Sequence, residues 1–124
     1  MVNTTLNIEA TDIFIKIARK FIKDNKFILV NRRDIDIGIR RVDTVEALLD
    51  LGITKSAAKE IIYDLSSSDC IRISFDYDKS KDENSEIFEF WKDINNIKAY
   101  IKLTTNGRGL ICLAFHRSNQ SKEY

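Results

Sequence analysis

The chain has 124 residues, 44% of them apolar, with 20 Lys plus Arg against 19 Asp plus Glu and a formal net charge of +1. One domain with one core is expected, and the balanced charge removes any bulk pull toward nucleic acid or anionic membrane, so such binding has to come from a local patch. Two cysteines, Cys70 and Cys112, and a single histidine, His116, suggest no disulfide scaffold, zinc site or histidine-based metal cluster, so no cofactor is expected.

No apolar run approaches the ~20 residues of a membrane span. The opening MVNTTLNIEATDIF lacks the basic start and unbroken apolar stretch of a signal peptide. The expectation is a reduced, cytoplasmic protein without a membrane partner.

Along the chain, residues 11–24 place Ile13, Phe14, Ile17, Ala18, Phe21 and Ile22 at helical spacing, with Thr11 as N-cap and Asp12 at the positive end of the dipole. KFILV (26–30) reads as a short strand. The segment 31–43 reads as a charged loop, although Ile35, Ile37 and Ile39 alternate as in a strand. Residues 44–65 predict two helices. The first ends at Gly52, the second is capped by Thr54, and its inner face is Ala57, Ala58, Ile61, Ile62 and Leu65. Residues 70–78 alternate Ile71, Ile73, Phe75 and Tyr77 against Arg72, Ser74 and Asp76, the pattern of a strand with one buried side. KSKDENSE (79–86) is a polar loop, and 86–118 reads as three strands and two turns. The terminal QSKEY is expected to fray. Helices in the region 11–65 followed by an antiparallel sheet over 70–117 make an α+β domain.

Hairpin register decides which side chains share a face, because a slip of one residue flips them all. Asn95-Asn96 suits a two-residue turn, since Asn tolerates positive φ. It pairs Ile94 with Ile97, Phe90 with Ile101, Phe88 with Leu103, Trp91 with Tyr100 and Glu89 with Lys102. For the second turn, a three-residue loop over Asn106, Gly107 and Arg108 separates polar from apolar residues best. It sets Leu103 by Ile111, Ile101 by Leu113, Ala99 by Phe115, Lys102 by Cys112, Tyr100 by Ala114 and Lys98 by His116. The core face is then Phe88, Phe90, Ile101, Leu103, Ile111, Leu113 and Phe115. The other face carries Glu89, Trp91, Lys98, Tyr100, Lys102 and His116, with the small Cys112 and Ala114 between them.

A carboxylate, an imidazole, a phenol and an ammonium on one sheet face suit RNA cleavage by its own 2′-hydroxyl without a metal. That reaction needs a base, an acid for the leaving 5′-oxygen, and cations for the charge on phosphorus. Glu89 is the natural base and His116 the natural acid. Lys102 and Arg72 suit the phosphate, Tyr100 a phosphate oxygen, and Trp91 a stacked base, with Lys98 beside it. Arg32, Arg33, Arg40 and Arg41 form either a phosphate-binding patch or a solvated loop with the neighbouring aspartates. Plainer roles exist for each residue. Glu89 and Lys102 make an ordinary cross-strand ion pair, Trp and Tyr pack well in strands, and Cys70 and Cys112 suit small core residues. Residues 44–62 also match a helix-turn-helix DNA binder, but Lys55, Ser56 and Lys59 sit with Glu60 and Asp64, which favours packing. A non-enzymatic binding or inhibitor protein on the same scaffold is a further alternative.

The stretch LLDLGITKSAAKEIIYDLSSSD, followed by FEFWKDINNIKAYIKL and LICLAFHRS, resembles the MqsR (motility quorum-sensing regulator) toxins of bacterial toxin–antitoxin systems. Leu51, Gly52, Thr54 and Asp69 match upstream. Phe90, Lys92, Ile94, Tyr100, Ile101, Lys102 and Leu103 match in the hairpin, and Phe115 and His116 in the closing strand. The likeness covers roughly residues 13–118. It implies a RelE-like α+β fold with a curved antiparallel sheet against helices, selective mRNA cleavage without a metal, and neutralisation by a cognate antitoxin protein. It also implies site roles for the basic residue after Asp69, here Arg72, for a polar position, here Glu89, and for Tyr100. Phe88 stands where the family has Trp, and Trp91 lies three residues on. Ile73-Ser74 replaces a Gly-Pro common in the family, and the segment 31–43 is longer than the family's.

Overall fold

The computed structural model describes residues 5–76 and 85–118. Most of the loop expected at 79–86 and the terminal QSKEY lie outside the described residues. Helix α1 runs from Thr5 to Lys23. It starts before the expected cap, so Thr11 is an interior residue, buried against the sheet. The buried positions are Thr11, Phe14, Ile15 and Ala18, whereas Ile13 and Ile17 face outward at 59% and 44% exposure. The apolar stripe is wider than the face that packs.

Strand β1 (Phe27–Leu29) follows, then β2 (Ile35–Asp36) and β3 (Arg41–Val42), which pair with each other. The region 31–43 is therefore a small hairpin with its own apolar cluster of Ile35, Ile37, Val42 and Ala47. Helix α2 (Thr44–Asp50) begins at a capping box of Asp43 and Glu46, and α3 (Lys55–Tyr63) at Thr54, whose hydroxyl accepts from the Ala57 amide. Gly52 takes φ +77° between them, as expected of the residue that ends a helix.

Strands β4 (Cys70–Asp76), β5 (Ser85–Ile94), β6 (Ile97–Asn106) and β7 (Gly109–Arg117) are antiparallel neighbours. The sheet order is β1-β7-β6-β5-β4, and β1 joins parallel to β7. The fold is α+β, but the sheet is mixed rather than wholly antiparallel. Parallel docking of β1 depends on Gly109 (φ +145°), where a Cβ would meet the Lys26 carbonyl oxygen at 2.2 Å. Helices α1 to α3 cover one sheet face. Phe88, Phe90, Ile101, Leu103 and Phe115 are buried there with Leu48, Leu51, Ile62 and Leu65, and Phe14 stacks on Phe88 at 4.0 Å. Each such side chain contributes ~1.5–3 kcal/mol. Among the described residues, no helix is long and apolar enough to cross a membrane.

The β5–β6 hairpin has the expected register in every pair, with Asn95 and Asn96 at φ 51° and 66°. The β6–β7 hairpin does not. Asn106 pairs with Gly109, which leaves a two-residue turn, and the ladder slips by one residue at Leu113. The Asn106 side chain accepts from the Arg108 amide at 2.7 Å and tightens that turn. The slip is a β-bulge, which resets the phase of the strand. Before it, Leu110 and Cys112 face the core, and Ile111 and Leu113 lie half-buried on the other face. Beyond it, Phe115 turns inward opposite Ile101, and Ala114 and His116 take the outer face. These placements correct the expected face. Ile111 and Leu113 leave the core side, Cys112 sits there as a small core residue rather than between the outer side chains, and His116 faces Tyr100 rather than Lys98.

Candidate functional site

The outer face of the sheet is organised around Glu89 on β5, which is 3% exposed. Arg72 stands directly across on β4, brought into register by an irregularity between Cys70 and Arg72. Its Nε donates to Glu89 Oε2 at 2.8 Å and its Nη2 to Oε1 at 2.5 Å. This is a two-point fork, the strong form of an arginine–carboxylate pair. Ser74 Oγ donates to Oε2 at 3.2 Å, and the Tyr100 hydroxyl donates to Oε1. Period-two spacing puts Ser74 beside Arg72, a signal present in the sequence but not used to assign it a role.

These contacts set the charges. Burial pushes the Glu89 carboxyl upward, but hydrogen bonds from Arg72, Tyr100 and Ser74 outweigh it and hold the group below its ordinary value. Burial, then the bond to the Glu89 anion, pushes the Tyr100 phenol up, so it remains a donor. The hydrogen bond to Glu89 raises Arg72 further above its already high value. Glu89 is thus an ionised carboxylate with donors on both oxygens, a poor arrangement for a base that has to collect a proton.

His116 lies opposite Tyr100, with ring centroids 5.5 Å apart. Its Nδ1 is 2.7 Å from the Arg117 carbonyl oxygen. A carbonyl only accepts, so Nδ1 carries the hydrogen and, in the neutral ring, Nε2 is an acceptor. Lys102 is the cross-strand neighbour of Glu89 and also faces the small Ala114. It makes no hydrogen bond or ion pair among the described residues, so its ammonium is uncommitted. Lys98 Nζ sits over the Trp91 ring at 4.1 Å, within cation–π range. Trp91 and Lys98 line an open groove of about 340 Å³ with Asp69, Lys92 and Asp93.

Arg72, Glu89, Tyr100, Lys102 and His116 therefore share one face, with Trp91 and Lys98 at its end. Arg32, Arg33, Arg40 and Arg41 are not joined to them. They flank or form the separate β2–β3 unit, where Arg40 pairs with Glu46 at 3.3 Å and Arg41 bonds the Asp34 carbonyl at 3.3 Å. Cys70 and Cys112 are free thiols held protonated by burial, Cys112 pushed up to about 12. Among the described residues, no three His, Cys, Asp or Glu side chains are grouped to hold a metal ion. No family model matches the chain, and no curated protein sequence matches it.

Proposed function

We propose that this chain is a RelE-like endoribonuclease of the MqsR type, the toxin of a toxin–antitoxin pair, cutting mRNA by attack of the RNA's own 2′-hydroxyl. One observation carries the reading: His116 stands beside Tyr100 on the sheet face that also presents Arg72 and Lys102. His116 Nε2 takes the proton of the 2′-hydroxyl and passes it to the leaving 5′-oxygen. Arg72 holds the phosphate, Tyr100 donates to a phosphate oxygen, and Lys102 adds positive charge to the same face. Glu89 holds Arg72 and Tyr100 in place in the resting protein rather than acting as the base. Trp91 stacks a flanking base.

The sugar oxygen replaces the 5′-oxygen on phosphorus, so the products are a 2′,3′-cyclic phosphate and a free 5′-hydroxyl. A defined RNA incubated with the protein and a chelator tests this. Cleavage with those end groups, together with growth arrest on expression that a cognate antitoxin relieves, is the expected result. RNA left intact at high protein concentration defeats the proposal. A second reading, a binding protein on the same scaffold, draws support from the saturation of Glu89, which is what a purely structural ion pair looks like. It predicts that His116→Ala alters no catalytic readout.

A further inference from the structure

The Glu89 carboxylate is unusual in how it is held. Two guanidinium hydrogens and two hydroxyls from β4 and β6 converge on one side chain of β5. An arginine fork with flanking hydroxyls is the donor set that proteins use for phosphate oxygens as well as carboxylates. The Arg72 side chain is still 40% exposed, so its guanidinium is reachable from outside, although Glu89 and Tyr100 are buried beneath it. A second cation lies within reach of the same carboxylate. Lys102 faces Glu89 across the β5–β6 ladder, where paired Cβ atoms are ~4.5–5.5 Å apart, and among the described residues it has no acidic partner.

We propose that Arg72, Ser74 and Tyr100 form an oxyanion site which the resting protein fills with its own Glu89, and that a phosphate group displaces Glu89 onto Lys102. The site then has two arrangements with matched charges. Arg72–Glu89 is closed and Lys102 waits; with ligand bound, Arg72 holds the phosphate and Glu89–Lys102 form the cross-strand pair. Neither state buries an unpaired charge, which is what makes the exchange feasible in a shielded place. The inference rests on reading this face as a phosphodiester site and adds how that site is kept occupied when empty of RNA.

Inorganic phosphate titrated into the full chain tests it, followed by calorimetry and by the amide signals of residues 72–74. Glu89→Ala is expected to bind phosphate on the order of 10-fold or more tightly than the wild type, because an anion no longer competes for the fork. Glu89→Gln is expected to lie between them, and it carries the test if Glu89→Ala does not fold. Adding Arg72→Ala to either variant should remove the gain. A wild-type structure with phosphate bound should show Glu89 paired with Lys102. Folded Glu89 variants that bind phosphate no more tightly than the wild type overturn the inference, as does a gain that survives loss of Arg72. The readout needs no cleavage. A protein that shows the gain but cuts no RNA defeats the ribonuclease reading alone, whereas one that cuts RNA without the gain defeats this inference alone.

Discussion

Among the described residues, the sheet carries two arginine–carboxylate forks, one on each face, and their differences are instructive. On the helix side, Arg117 of β7 reaches both oxygens of Asp50 on α2 at 3.1 Å. That pair ties the closing strand to a helix, and its carboxylate has 18% of its side chain exposed. On the outer side, Arg72 grips Glu89, whose side chain is 4% exposed, between strands the backbone ladder already joins. The first fork has a packing reason. The second is buried more deeply, gathers two further donors, and has beside it an imidazole and a lysine with no acidic partner among the described residues. Identical chemistry on one scaffold thus separates a clamp from a candidate site.

Substitutions can break or sharpen this contrast. The largest effect is expected from His116→Ala, which should lower RNA cleavage by ~10²–10⁴-fold while the protein stays folded by circular dichroism. Arg72→Ala comes next. Breaking a buried pair from one side costs ~3–5 kcal/mol. With the guanidinium 40% exposed, solvent screens the remaining charge, and about 2–3 kcal/mol by urea unfolding is expected, together with lost cleavage. Asp50→Ala should cost about 1 kcal/mol, near the upper range for exposed ion pairs, and leave cleavage at the wild-type rate. If Asp50→Ala impairs cleavage as much as Arg72→Ala does, the two forks are not functionally distinct.

The smallest effect is in pH dependence. Glu89 has a folded value below its ordinary 4.5. It therefore binds fewer protons folded than unfolded, and its contribution is full above that value and lost as pH falls through the folded one. The melting difference between wild type and Glu89→Gln should narrow only in acid. A difference that stays constant down to strongly acidic pH would show that Glu89 is not the titrating group.

Much of this arrangement could be read in the residues, and the exceptions have identifiable causes. The β5–β6 register followed from Asn95-Asn96 and from a strand whose apolar and polar residues alternate cleanly. In GLICLAF (109–115) nearly every position is apolar, so alternation supplies no phase and a bulge at Leu113 leaves no trace. Thr11 looked like a cap because it precedes a periodic apolar run, although residues 5–10 continue the same helix. Tyr100 and Lys102 lie on the outer face as expected because the β5–β6 register holds, and His116 joins them because the shorter turn and the bulge each shift β7 by one residue and together restore its phase. The partner of His116 was wrong for the same reason.

By itself, the sequence determined the α+β class, the helix boundaries at Gly52 and Thr54, and the shared face of Glu89, Tyr100 and Lys102. These are consequences of local periodicity and of residues that tolerate or forbid particular backbone angles. The tertiary structure alone decided that β1 docks parallel beside Gly109, that Arg72 comes across from Glu89, and that Glu89 is spent on Arg72, Ser74 and Tyr100 rather than on Lys102. Those outcomes depend on which of several chemically adequate partners comes within bonding distance, and distance between strands is set by the packed sheet, not by any one segment of the chain.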